Sequence, residues 1–290
     1  LEADVPWVPG RNCPPDDAYV AAVGHDPIKL TIPTYEFTAD IRVSSDPKLA
    51  IEAITEAARG LLGDDDRKRI AERTTRLTAA SSAYVASIEA EAKSQSGSDP
   101  ISPIWVSYQI GQLVDDNTII LDETLPTPRA REFMPNARPG SYFANPGSSG
   151  GWSPGAALGA KLAAPDKDVI AVTGDGFYMF GTPAPALWAA AHHGAPYMIV
   201  VFTNRSYTTG TSRIAATYGE DGYAKKAGFP GGYFDPPIDF AKEAEAAGAY
   251  GETVTDPAEV GPALRRGLEQ TRAGKPAVIS VWLQRLEADD

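Results

Sequence analysis

Three stretches of this 290-residue chain carry residue types able to do chemistry. The apolar run Val169–Thr173 ends in Gly174-Asp175-Gly176. Glycines there let the backbone approach a ligand and aim N–H groups at an anion, while the acid between them serves a cation. A second apolar run ends in Thr203-Asn204-Arg205-Ser206-Tyr207, with Asn204 placed 29 positions after Asp175. If the two runs are neighbouring parallel strands, Asp175 and Asn204 converge on one ion. A carboxylate, an amide oxygen, a backbone carbonyl and phosphate oxygens together make the all-oxygen octahedron that Mg²⁺ prefers. A diphosphate bridged to a divalent cation meets both demands. The third stretch is the glycine-rich run from Asn145 to Gly155, where the flat ring of a ligand can lie against backbone.

The elements that must position these residues follow from periodicity. Ser102-Pro103 opens a helix reaching about Asp115, followed by a strand over Thr118–Leu121. A helix near Ala156–Leu162 precedes the strand Val169–Thr173, and a helix from Pro185 to His193 precedes the strand Tyr197–Thr203. The chain then passes through helix Asp239–Ala247, strand Tyr250–Val254, helix Pro257–Arg272 and strand Ala277–Trp282. Helices alternating with short, continuous apolar strands imply an α/β fold with a parallel sheet covered on both faces. In such sheets ligands bind at the carboxyl ends of the strands, where all three stretches fall.

Residues 1–62 read differently. Apolar runs at Ala3–Val8, Ala18–Val23 and Ala39–Val43 predict strands, and Leu49, Ile51, Ile54, Ala57 and Leu61 predict a helix. The opening residues read as the tail of a strand, so the chain is expected to begin inside a domain. From Asp64 to Lys93, Ile70, Leu77, Tyr84 and Ile88 mark one face of a long helix. Ser94 to Pro100 breaks it. The expected organisation is therefore part of an α/β domain over 1–62, a helical linker over 63–100 and a ligand-binding domain over 101–290.

Composition excludes several classes. With 43% hydrophobic and 22% charged residues the chain is globular, not disordered. A net charge of −12 argues against nucleic acid or an anionic membrane surface as partner. The longest apolar runs, such as Tyr197–Phe202, are far below the roughly 20 residues of a membrane span. A single cysteine, Cys13, allows no internal disulfide and points to a reducing, cytoplasmic setting.

Gly174-Asp175-Gly176 followed after 26 residues by Thr203-Asn204 resembles the thiamin-diphosphate motif, and Ala156–Ala160 and Pro185–Ala191 resemble the acetolactate synthase and benzoylformate decarboxylase group. The resemblance covers about 101–283, and 1–62 looks like the second half of that group's central domain. It implies a thiamin-diphosphate-binding fold in which Asp175, Asn204 and the carbonyl of Ser206 hold Mg²⁺. Gly174, Gly176 and Phe177 would meet the diphosphate with Asn204 and Tyr207, joined by the turn Glu123-Thr124-Leu125 after the strand Thr118–Leu121 and by Ser149, Gly150, Gly151 and Trp152. Thr203 replaces the first Asn of the family's pair, whose second Asn is the ligand. Gly150 stands where relatives carry a bulky aliphatic residue, so either Trp152 or a partner chain supplies that support, or the turn aligns one residue away.

The family's activating glutamate belongs to a separate pyrimidine-binding domain. The resemblance therefore implies a homo- or hetero-oligomer in which another subunit, or an N-terminal half of this chain, supplies it. The implied reactions are decarboxylation of a 2-oxo acid, acetolactate synthase-like carboligation, or 2-hydroxyacyl-CoA lysis; the last is disfavoured because only eight residues follow Trp282. A non-catalytic cofactor-binding or regulatory subunit is the rival class. Flavin adenine dinucleotide, bound in the central domain of some acetolactate synthases, has no supporting motif here.

Between Tyr207 and Asp239 lies a stretch rich in Gly, Pro and aromatics, read as a long loop. With Tyr178, Tyr207 and Phe234 it is expected to border a pocket for an apolar or aromatic acyl group. His192 and His193 are read as a helix end, His25 as a turn residue, and Asp64 to Asp66 as a solvated helix start.

Overall fold

The computed structural model describes residues 5–32, 37–124, 129–134, 138–145, 149–219 and 221–285. Contacts divide the chain into two compact units, Leu1–Ala80 and Ser81–Asp290. In the first, β1 (Ala21–Gly24) and β2 (Ile41–Ser44) pair in parallel, with Ala21 opposite Ile41. Helix α1 (Pro47–Leu61) starts where Asp46 Oδ1 accepts the N–H groups of Lys48 and Leu49 at 2.8 and 3.2 Å. Such a cap satisfies donors that the first turn leaves unpaired. Leu49, Ile51, Ile54 and Leu61 of α1 are exposed, and Ala50 is buried. The first expected strand does not form over Val5–Val8; Ala3 and Asp4 lie outside the described residues. Helix α2 (Asp64–Ser94) carries three acids in its first turn, where they complement the helix dipole, and the division between the units falls within it.

The second unit continues with α3 (Pro103–Gly111), β3 (Thr118–Glu123), a 3₁₀ turn at Ala130–Phe133 and β4 (Tyr142–Ala144). Next come α4 (Ser153–Ala163), β5 (Asp168–Gly174), α5 (Asp175–Phe180), α6 (Pro183–His192) and β6 (Met198–Thr203). Helices α7 (Thr208–Tyr218), α8 (Tyr223–Lys226) and α9 (Phe240–Ala246) precede β7 (Tyr250–Val254), α10 (Val260–Arg272) and β8 (Ala277–Trp282). Six strands form one parallel sheet in the order β4-β3-β5-β6-β8-β7. Side chains alternate across it, as a strand's period of two requires. Ile120, Ile170, Val172, Met198, Val200, Ile279 and Val281 pack on one face with Val106 and Ile110 of α3 and Leu264 of α10. Leu121, Val169, Ala171, Ile199, Val201 and Val278 pack on the other with Ala157, Leu187, Ala190 and Phe240 of α4, α6 and α9. Both faces are covered, which is why these strands read as unbroken apolar runs.

The stretch expected as one long loop after Tyr207 instead contains α7 and α8. Thr208-Thr-Gly-Thr-Ser has weak helix propensity, which hides α7 in the sequence, and Thr211 is the buried residue of this helix. Helix α6 ends at His192 as expected, and the imidazole stacks on Trp188 at 5.1 Å. Among the described residues no helix is long and apolar enough to cross a membrane.

Helix α9 packs closely on β7 because Gly251 has no side chain: a Cβ there would lie 2.0 Å from the Ala241 carbonyl oxygen. That neighbour is backbone and cannot rotate away. Gly251→Ala is expected to cost about 2–3 kcal/mol of stability through overpacking, read as a lowered denaturant midpoint.

Candidate functional site

Strand β5 delivers Asp175 to the carboxyl edge of the sheet, and β6 delivers Asn204 beside it, with Gly174 paired in register to Phe202. Asp175 is 2% exposed. Its Oδ1 accepts the Gly176 N–H at 2.9 Å and its Oδ2 accepts the Arg205 N–H from the next strand end. Arg205 adopts φ 61°, turning the chain sharply just after this N–H. The Arg205 guanidinium points elsewhere, 5.0 Å above the Trp282 ring and 3.1 Å from the Leu283 carbonyl. Asn204 Oδ1 accepts the Ser206 N–H at 2.9 Å. Bonds from Tyr207 N–H to Gly232 O (2.8 Å) and from Phe234 N–H to Arg205 O (3.0 Å) pin Ser206 between them. Asp175, Asn204 and Ser206 thus occupy two adjacent strand ends.

Burial pushes the Asp175 carboxyl up to about 7, against the opposite pull of its backbone hydrogen bonds. Among the described residues no cationic side chain pairs with it. A Cβ on Gly174 would meet nothing within 4 Å, so space opens beside the residue that precedes Asp175. Among the described residues no three His, Cys, Asp or Glu side chains converge. The donor set is therefore one carboxylate, one amide oxygen and a carbonyl, a hard oxygen set that fits Mg²⁺ provided a ligand or water completes it. The fit is one of donor chemistry and access.

Aromatic rings flank this edge. The Tyr207 ring lies against Gly176, where a Cβ would come within 2.8 Å of it, and meets Phe180 at 5.4 Å and Phe234 at 4.8 Å. Phe180 is largely exposed and Phe234 buried. Tyr178 belongs to a different region, contrary to expectation. Its side chain is fully buried in the core, edge to face with Phe240 at 4.9 Å, so it borders no pocket with Tyr207. Its hydroxyl is raised in pKa chiefly by that burial.

The glycine-rich turn rests on α5. A Cβ at Gly150 would lie 2.5 Å from the Phe177 ring, and Gly151, at φ 98°, has the Phe180 carbonyl carbon 2.6 Å from where its Cβ would be. Gly150 is thus required by the close approach of Phe177. Ser149 is held through its carbonyl by Asn145 Nδ2 at 2.7 Å. Thr124 folds back on Asp122, whose Oδ1 accepts both its N–H and its hydroxyl at 2.8 and 2.6 Å. Leu125 lies outside the described residues. Thr203 is buried between strands, its hydroxyl 2.9 Å from Ser280 of β8. Its side chain therefore satisfies the sheet rather than a ligand.

The expected phosphate-contacting turn Glu123-Thr124-Leu125 begins with a side chain, 1% exposed at the end of β3, whose role as an internal acceptor sequence reasoning did not identify. Its Oε1 accepts Asn145 Nδ2 (2.8 Å) and Trp152 N–H (2.7 Å), and its Oε2 accepts Ser153 N–H (2.9 Å). The available signal was an acid as the last residue of a buried apolar strand.

This fold and edge define a class. Residues 127–281, over half of the chain, match the family model described as "Thiamine pyrophosphate enzyme, C-terminal TPP binding domain". The chain belongs to that family. It is 29% identical over 184 residues to a probable acetolactate synthase of Mycobacterium bovis, covering 63% of this chain and 31% of that protein. It is 30% identical over 189 residues to benzoylformate decarboxylase of Pseudomonas aeruginosa, covering 65% and 33%. Among solved structures, the Rhodococcus jostii RHA1 thiamine diphosphate-dependent 4-hydroxybenzoylformate decarboxylase superposes with TM-score 0.53 at 30% identity, covering 64% and 33%. The chain spans about a third of the length of these relatives.

The raised Asp175 pKa has a consequence for stability. The folded chain keeps a proton that the unfolded chain releases near pH 4, so between about 4 and about 7 metal-free stability falls as pH rises. Above 7 the whole cost is present. Thermal melts across pH 5 to 8 are expected to show a slope of up to about 1.4 kcal/mol per pH unit from this group, and Asp175→Ala is expected to flatten it.

Proposed function

We propose that this chain is the diphosphate-binding part of a thiamin-diphosphate, Mg²⁺-dependent enzyme that makes or breaks the C–C bond beside a carbonyl of a 2-oxo acid. The observation that carries this reading is the buried Asp175 beside Asn204 at two adjacent strand ends, without a cationic partner among the described residues. Asp175, Asn204 and the Ser206 carbonyl would hold Mg²⁺. The N–H group of Phe177 and, once released from Asp175 Oδ1, that of Gly176 would take diphosphate oxygens, with Gly174 leaving room for them. Thr124, Leu125 and the turn Ser149-Gly150-Gly151-Trp152 would border the remainder of the cofactor. When bound, thiamin diphosphate supplies a nucleophilic carbon and an electron sink. The protein's share is to bind, orient and neutralise charge. The proton relay to the aminopyrimidine ring would come from a glutamate on a pyrimidine-binding partner subunit or region, in an oligomer, with a cytoplasmic location as the simplest setting.

Tyr207, Phe180 and Phe234 form an aromatic wall next to Gly176. That wall favours an aromatic acyl group on the substrate, in line with two of the relatives named above. Decarboxylation of an aromatic 2-oxo acid is accordingly the reading preferred over carboligation or acyl-CoA lysis.

Calorimetric titration with thiamin diphosphate and Mg²⁺ tests the binding role, on the chain alone and with a pyrimidine-domain partner. Binding lost on Asp175→Ala supports it; no binding in either preparation leaves the non-catalytic subunit. In the active assembly, Phe234→Ala is expected to lower kcat/KM for benzoylformate by about tenfold or more while changing that for pyruvate less. Equal loss for both substrates would remove the aromatic wall from specificity.

A further inference from the structure

Glu123 is a buried acid with no part in holding a metal or diphosphate in the reading above, yet it touches every segment of the glycine-rich turn that is described. Oε1 accepts Trp152 N–H and Asn145 Nδ2, Oε2 accepts Ser153 N–H, and Asn145 Nδ2 in turn reaches the Ser149 carbonyl. Trp152 and Ser153 are the first residues of α4, whose opening N–H groups have no partner within the helix. An acid at that position also complements the helix dipole. At its other end Glu123 is locked into the sheet, paired in register with Thr173, the residue before Gly174. The turn it holds presses on α5, with Gly150 against Phe177 and Gly151 against the Phe180 backbone.

We infer that Glu123 is a positioning residue: its two carboxylate oxygens clamp the turn 149–153 to the end of β3, and so hold that turn at the height and tilt at which it would meet the cofactor. The inference rests on the cofactor reading above, and it adds a residue that reading does not contain. All three partners are N–H donors, so both oxygens must accept. Glu123→Gln keeps size and shape but turns one accepting oxygen into an NH₂ group that faces a donor. Loss of an orienting partner behind a ligand site costs affinity on the order of 10–100-fold.

The test uses the full chain, with its pyrimidine-domain partner where cofactor is titrated. Hydrogen exchange on the cofactor-free protein is expected to show faster exchange in Glu123→Gln at the amides of Trp152 and Ser153, with the amides of β5 and β6 unchanged. Thiamin diphosphate affinity at fixed Mg²⁺ is expected to fall about 10–100-fold. Asn145→Ala, which removes one leg of the clamp near the surface, gives a smaller loss in the same two readouts and covers the case in which Glu123→Gln does not fold. A wild-type-like exchange pattern and wild-type affinity in the folded variants would overturn the inference. Lowered thermal stability with unchanged affinity would do the same, since it would make Glu123 a fold residue only. If the wild-type chain itself binds no cofactor, the functional reading fails separately, and the exchange result still decides whether Glu123 holds the turn.

Discussion

The arrangement hinges on two backbone N–H groups, those of Gly176 and Arg205, that meet one buried carboxylate. Through Asp175 the ends of β5 and β6 are tied beyond their last ladder bonds, and the tie fixes where Asn204 and Ser206 stand. A buried carboxylate is costly, and hydrogen bonds from backbone dipoles offset only part of the cost. Burial raises its pKa despite those bonds. In the proposed reading a bound cation would offset what remains of that cost.

Two layers of support lie behind this edge. On the sheet side, the Thr203 and Ser280 hydroxyls satisfy one another between β6 and β8, so the residue before Asn204 serves strand packing and leaves the amide of Asn204 for the edge. On the turn side, glycine at 150 lets the Phe177 ring approach the backbone. A larger residue at Gly150 would displace Phe177, so the bulky aliphatic residue that the resemblance assigns to relatives there does not fit beside this ring.

Strand ends were legible because buried parallel strands leave long apolar runs, and the residue types just after those runs are the ones the sheet places together. Short or locally atypical elements were not. Strand β4 is three residues on an edge, half exposed, and has no run to read. Helix α5 begins inside Gly-Asp-Gly, which looks like a turn. Phe177 and Tyr178 point about 100° apart on that helix, one toward the glycine-rich turn and the other into the core, a difference not drawn from the sequence. Helix α7 opens on threonines and a glycine, whose weak propensity hides it. Glu123 was read only as part of a phosphate-contacting turn, because its hydrogen bonds go to residues 22 to 30 positions away, which no local pattern records.

Charge explains why such a site takes this form. With 38 acidic against 26 basic residues, the chain as a whole repels an anionic ligand. On the turn after β6, the Arg205 guanidinium is committed to Trp282 and the Leu283 carbonyl. In the proposed reading a diphosphate would then be drawn by fixed dipoles and by a metal ion. Both act over a few ångströms, where the long-range repulsion of scattered surface acids is weakened by salt. An acidic fold and an anion-binding edge are compatible on this footing, because the attraction is made locally by backbone geometry that the distribution of surface charge does not control.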